Sequence, residues 1–555
     1  MKKLSLLVAL ALVVMSLAAC GGSGASSGSS TSGSGPDTAG NQLSICVGPD
    51  PDTIDPALNS AVDGGTLIIH GFEGLYTLDP DGTPIPGQAE TCDISEDGRT
   101  YTFHLREGLK WSDGTPIIAE DFVWSWQRAA DPATAADYGY IFEVVEGYAD
   151  AVGQYDENGN AVVAPDLTKL AVKALDDKTL EVKLPAVTPY FLELTAFPAF
   201  YPVPRHIIEA NGEKWALAPE TYIGNGPYKM TEWVHGSHMT YVKNENYWNY
   251  EALGPDSIRF NLIEDDGAQL AAFQNGTIAF ADIIPTDEIA AWQEKPEFHS
   301  QGQLSTYYVS FNVNQFPLDD PKVRQALILG IDREWICTNI GKAGQLPAGA
   351  FVPYGLSDTD PAQEFRDVGG DYYDPYDYEG NFAKAQQLLT EAGYPGGEGL
   401  PTIEYIYNEG TGHQQVGEAL QNMWGKLGVK IELSSQEWRT FINTRKSQSY
   451  SIAVNGWLAD YNDPISFLDF WITGGGNNDA GWSNPQYDAL ISQVKASSDR
   501  EERMKLMHEA EDLIFADSML CPIYYSVDLY LQSTSLENIW ASPLGYKYFM
   551  YASFQ

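Results

Sequence analysis

Between Thr402 and Leu433 the chain reads strand, helix, strand. Thr402 to Tyr407 is β-forming, a Gly-containing turn follows, a helix runs through Leu427, and Val429 to Leu433 is a second strand. Two strands joined by a helix lie side by side as a parallel pair, which places the chain in the α/β class. The body beyond residue 40 holds about 515 residues, more than one hydrophobic core serves, so more than one domain is expected.

Further elements follow from periodicity. Leu43 to Val47, Thr100 to Leu105, Leu180 to Leu184, Met239 to Val242 and Ser257 to Leu262 read as strands, as does Tyr222 to Lys229. Asp50 to Pro56 reads as a solvated turn; its carboxylates do not fit a calcium loop. Ala119 to Arg128 reads as an amphipathic helix whose Phe122, Trp124 and Trp126 suit packing. Gln269 to Asn275 is a short helix. Thr306 to Asn312 is strongly β-forming and leads to Asp319-Asp320-Pro321, a start signal for a helix through Leu329. Phe382 to Ala392 and Arg503 to Phe515 are helices, and Ile523 to Val527 is a strand.

At the N-terminus Lys2 and Lys3 precede an apolar run from Leu4 to Val14 and then Leu17-Ala18-Ala19-Cys20. This is a secretory signal, too short for a lasting span. Its end resembles a bacterial lipobox, which implies removal of residues 1–19 and lipid on Cys20. Gly21 to Gly40 is nearly all small and polar and suits a flexible tether, so 20–40 is lipidated Cys and linker. Lys+Arg number 32 against 76 Asp+Glu, a formal charge of −44, which disfavours nucleic acid and anionic lipid surfaces as partners. Beyond Cys20, the remaining Cys46, Cys92, Cys337 and Cys521 allow three full pairings, and their wide spacing disfavours zinc.

Tyr450, Ile452 and Val454 alternate as a strand should and lead to Trp457-Leu458-Ala459-Asp460 and a turn through Asn462-Asp463-Pro464. Trp457 and Asp460 therefore fall just past a strand end, where open α/β sheets place ligands. A carboxylate beside an indole suits an organic cation. The same two residues also suit a capped turn and a filled core.

The stretch from Trp457 to Leu468 resembles the Trp-x-x-Asp-Tyr-Asn-x-Pro-x-Ser-Phe-Leu signature of the family 5 extracellular solute-binding proteins, the oligopeptide-binding lipoproteins of ABC importers. Asp55-Pro56-Ala57, Phe72-Glu73-Gly74-Leu75, Trp111-Ser112-Asp113-Gly114-Thr115-Pro116, Asn225-Gly226-Pro227-Tyr228 and Tyr247-Trp248 recur in that family in the same order. The resemblance implies a two-lobe periplasmic-binding-protein-like α/β fold (type II, cluster C) with an extra inserted domain. Lobe I would comprise 41–75, 203–304 and 528–555, the insert 76–202, and lobe II 305–527. Crossing strands would let the lobes close on a ligand by hinge motion.

In that family the motif Asp holds the peptide's α-amino group, which makes Asp460 that residue here. Trp457, Tyr307, Tyr308 and Val62 become pocket walls, and Arg445 and His413 match positions that meet the peptide carboxylate. Val454 and Ser310 stand where relatives carry a second Arg and an acidic residue. Some relatives carry a disulfide whose positions match Ser305 and Leu458, so that bridge is missing. The implied function is capture of oligopeptides outside the cytoplasm by a membrane-anchored, monomeric lipoprotein that delivers them to a permease, on the periplasmic side where an outer membrane exists. No cofactor or metal is expected, and no catalysis: the eight His are scattered, no nucleophile elbow follows a strand, and no phosphate loop is present. The alternative on the same fold is a specialised ligand such as a signalling peptide, metal chelate, haem or oligosaccharide.

Overall fold

The computed structural model describes residues 41–80, 82–155 and 161–555. The expected signal peptide, Cys20 and linker lie outside the described residues. In chain order the strands are β1 (Gln42–Cys46), β2 (Ala89–Ile94), β3 (Thr100–Leu105), β4 (Val172–Asp176) and β5 (Thr179–Lys183). Then come β6 (Tyr228–Val234), β7 (His238–Lys243), β8 (Ser257–Asn261), β9 (Phe280–Ala281) and β10 (Phe298–Phe311). The rest are β11 (Ile403–Asn408), β12 (Ile431–Gln436), β13 (Ile452–Leu458) and β14 (Leu520–Gln532). The first of the helices that matter here is α1 (Val62–Gly71).

An eleven-stranded mixed sheet runs β6-β7-β8-β1-β9-β14-β10-β13-β11-β12, with the short strand Leu346–Pro347 paired to β14. Near one end β1 is parallel to β8, Ile45 facing Phe260. At the other, β11 is parallel to both β12 and β13. The β11–helix–β12 unit expected from sequence is this pair, its crossover being α2 (Thr411–Lys426). Between the ends the antiparallel β10 and β14, of 14 and 13 residues, span the sheet. Each reaches about 45 Å at the strand rise, which is why β10 extends far beyond its β-branched and aromatic stretch. Strand residues Val309, Phe311, Ile403, Tyr405 and Ile452 share one core with Trp424 of α2.

A separate antiparallel sheet, ordered β2-β3-β5-β4, lies within residues 89–183. Its alternating Tyr101, Phe103 and Leu105 are buried. The helix Ala119–Ala130 buries Phe122 and Trp126, as the spacing predicts, and the Trp126 indole donates to the Phe200 carbonyl at 2.8 Å.

Two expectations fail for identifiable reasons. Tyr222 to Lys229 is not a strand before Tyr228. Gly224 and Gly226 lie against the backbone of Gly71 and Phe72, where an added Cβ would come within 1.9 Å and 2.4 Å of it. The Asn225 side chain brackets Glu73, accepting its N–H and donating to its carbonyl. Asp50 to Pro56 is not a solvated turn throughout. Asp55 is buried, paired with Arg128 at 2.6 Å, and accepts the Trp215 indole N–H at 2.8 Å.

The recurring motifs meet in space. The buried Glu73 carboxylate accepts from Tyr247, Trp248 and Gln88, and Ser112 donates to the Gly224 carbonyl. These motifs brace the scaffold.

Candidate functional site

The Trp457–Leu468 motif folds on itself. Trp457 lies within β13 rather than past its end, and Asp460 follows two residues after the strand. Asp463 opens a short turn of helix at Pro464–Phe467 by accepting the Ile465 N–H, and its carboxylate is held by Arg503 at 3.1 Å. That turn brings Ser466 back to the strand. Its hydroxyl accepts the Asp460 N–H at 2.8 Å and its carbonyl accepts the Trp457 indole N–H at 2.7 Å. Phe470 stacks on Trp457 with centroids 3.7 Å apart.

Asp460 is thereby aimed into a cavity of about 350 Å³. The wall comes from segments far apart in sequence: Asn59 to Asp63, Tyr138, Glu264, Asp282, Tyr307, His413, Trp438 to Arg445, Val454 to Asp460 and Tyr546. The Tyr138 hydroxyl donates to Asp460 Oδ1 at 2.8 Å. Burial pushes the Asp460 carboxyl well above the usual carboxylate range, against the Tyr138 hydrogen bond and with the nearby Asp469 adding to the rise. Among the described residues no Lys, Arg or His forms an ion pair with Asp460.

Six of the seven expected wall residues meet here: Asp460, Trp457, Arg445, His413, Tyr307 and Val62. Tyr308 does not. Successive residues of a strand point to opposite faces, so with Tyr307 in the cavity Tyr308 turns into the core against Phe351 and Trp471.

The two expected basic residues are not free cations. Arg445, in the last turn of α3 (Trp438–Lys446), pairs with Asp479 at 3.3 Å and donates to Asn455. Glu437 fixes the start of α3 by accepting the Arg439 and Thr440 N–H groups. His413 lies in the first turn of α2, stacked on Tyr307, with Nδ1 2.9 Å from the Tyr307 hydroxyl. Burial lowers its pKa to about 4, so it is neutral at pH 7. Of the matched positions, Ser310 is buried against the Tyr450 hydroxyl, Val454 lines the cavity, and Ser305 faces Leu458 across the β10–β13 pair. The four described cysteines are free thiols.

Sequence reading missed Tyr138, Asp63 and Trp438. Tyr138 sits in irregular chain with no periodic signal, and only the fold brings it to Asp460. Ser466 lay within the motif, but its double role needs the turn geometry to be seen. Among the described residues no helix is long and apolar enough to cross a membrane.

The sequence matches the family described as bacterial extracellular solute-binding proteins, family 5 Middle, over residues 83–479. The oligopeptide-binding protein OppA of Bacillus subtilis (strain 168) is 34% identical over 563 residues, covering 100% of this chain and 100% of the relative. The backbone is similar to Haemophilus influenzae OppA in complex with RPPGFSPFR, with TM-score 0.85 and 28% identity, covering 93% of this chain and 99% of that one. Against the unliganded open form of the murein tripeptide binding protein MppA the TM-score is 0.58, at 28% identity over 93% and 98%. The two-lobed α/β architecture is that of these binding proteins, and the chain belongs to the bacterial extracellular solute-binding proteins of family 5.

Proposed function

We propose that this chain captures oligopeptides by their free α-amino group and hands them to an ABC permease. The observation that carries this reading is Asp460: a carboxylate enclosed in the cavity, oriented by Tyr138 and Ser466, with no cation among the described residues paired to it. An enclosed charge costs several kcal/mol unless it is paired and hydrogen-bonded. An α-ammonium supplies the charge and three donors. The kinship with peptide-binding relatives supports the same ligand class.

On this reading residues 41–75, 203–304 and 528–555 form lobe I, 76–202 the insert and 305–527 lobe II. Closure of lobe II brings Asp460 against Tyr138 of the insert. The closer likeness to the complexed relative than to the open form supports a closed arrangement here. Trp457, Tyr307 and Val62 shape the walls. Arg445 is already balanced by Asp479 and His413 is neutral, so the peptide's carboxylate end is read less strictly than its amino end. The protein acts as a monomer, changes no bond in its ligand, and is tethered outside the cytoplasm by lipid on Cys20.

The test is titration calorimetry on protein unfolded and refolded to strip retained ligand, with a pool of three- to six-residue peptides. Heat with free peptides that disappears on N-acetylation and in Asp460→Asn is the expected result. Equal binding of acetylated peptides removes Asp460 from its role. Absence of heat with either pool moves the reading to a specialised ligand.

A further inference from the structure

The cavity that holds Asp460 contains far more negative charge than one ammonium requires. Asp63, Glu264, Asp282 and Glu409 line it as well, against a single guanidinium, Arg445, which Asp479 already balances. Asp63 stands in the first turn of α1, where a helix N-terminus favours a carboxylate. Its carboxylate is buried, and the side chain that faces it is the indole of the neighbouring Trp438, a neutral donor that brings no positive charge. The Trp438 backbone N–H donates to Glu264 at 2.8 Å, so the indole sits among these carboxylates. Among the described residues no cation pairs with Asp63 or Glu264. Asp282 pairs with Lys547 at 3.3 Å, which it shares with Asp528 at 2.8 Å.

This group is distinct from the Asp460 centre in its surroundings. Asp460 sits with Tyr138 and Tyr546, and Asp63 with Trp438 and Asp282. Burial pushes the Asp63 carboxyl up to about 6, a sign of how much closure costs when no positive charge arrives.

We infer that this second acidic wall, Asp63, Glu264, Asp282 and Glu409 around Trp438, is a subsite for a cationic side chain, so that the protein favours peptides carrying Lys or Arg. The inference rests on the peptide reading above and assigns its side-chain class. A guanidinium or ammonium here is paired by carboxylates and can lie against the indole face. A neutral side chain leaves the buried Asp63 without a positive partner, and an acidic one adds repulsion.

The experiment uses the full-length chain, unfolded and refolded, and tetra-alanine peptides with one residue replaced in turn at positions two, three and four. The replacement is Lys, Arg, norleucine or Glu; norleucine matches the Lys stem without its charge. At one position or more, Lys and Arg are expected to bind about tenfold more tightly than norleucine, and Glu more weakly still. In Asp63→Asn, and separately in Glu264→Gln, the Lys-to-norleucine affinity ratio should fall toward one. That ratio is internal to each variant, so a folding defect, which weakens every peptide, does not imitate it. Norleucine peptides as tight as Lys peptides at every position overturn the subsite and leave peptide capture standing. A ratio that persists in both variants overturns the assignment to this wall. Failure of every peptide to bind overturns the underlying peptide reading and this inference with it.

Discussion

The Tyr138 hydroxyl donates to Asp460 Oδ1 at 2.8 Å across 322 positions of sequence. It joins the segment between β3 and β4 to the carboxylate that follows β13 beside Trp457. Tyr138 is buried and Asp460 half-buried, so the bond is made in a poor solvent for charge, where a hydrogen bond to an ionised group is worth about 1.5–3 kcal/mol.

Replacing Tyr138 with Phe should therefore weaken binding of free-amine peptides by about tenfold, since the ring and its packing on Phe197 are kept and only the donor is lost. Calorimetric affinities of wild type and Tyr138→Phe for one tripeptide check this. Unchanged affinity would mean that the hydroxyl does not help to hold the ionised carboxylate.

The charge of Asp460 should couple closure to the ligand. In the closed arrangement its carboxyl is raised above the ordinary value, so the closed empty state holds the proton more firmly than a solvated carboxyl does. As pH falls, protonation favours the closed empty form; ionisation for an ammonium is favoured as pH rises. Peptide affinity should thus decrease on acidification, with proton release on binding. Small-angle scattering of ligand-free protein should show a smaller radius of gyration for Asp460→Asn than for wild type at pH 7. Equal radii would show that Asp460 does not oppose empty closure.

His70 should set part of the acid sensitivity of the fold. It is fully buried, its Nδ1 is 2.7 Å from the Thr66 carbonyl, and Phe549 donates to its Nε2 at 3.2 Å. Burial lowers its pKa to about 4 against an ordinary value near 6.5. The folded state binds the proton less than the unfolded one, so this stability is complete above about pH 6.5 and declines as pH falls toward 4, by up to about 1.4 kcal/mol per pH unit. Asp469, raised to about 6 by burial, acts in the opposite sense. Denaturant melts at pH 7 and pH 5 should show a shallower loss in His70→Gln than in wild type, although the variant is less stable at pH 7.

The buried pair of Arg366 and Glu511 should be a point of fragility. Two hydrogen bonds of 2.9 Å join them, and Glu511 Oε1 also accepts the N–H groups of Phe351 and Val352. Both side chains are at most 1% exposed. Glu511→Ala leaves a buried guanidinium without its counter-charge and two amides unsatisfied, and should cost about 3–5 kcal/mol. A chemical-denaturation midpoint within error of wild type would contradict it.

The sequence by itself determined what depends on near neighbours. The alternation of Thr100 to Leu105, the β–α–β unit ending at Leu433 and the aromatic face of Phe122 and Trp126 all follow from periodicities that one element carries alone. Through its motif it also singled out Asp460 and Trp457. What it left open was where each motif would go. Glu73, Asn225 and Tyr247 turned out to brace one another, and Tyr308 left the cavity because a strand shows its neighbour to the other face.

Only the tertiary structure decided the cavity. Asp63, Tyr138, Asp282, Trp438 and Asp460 have no local relation to one another; the crossing of β10 and β14 brings their segments together. The charge state of the site was decided there too. Whether Arg445 is free and whether His413 is charged depend on Asp479, Tyr307 and exclusion of water. These are through-space effects that no spacing along the chain encodes.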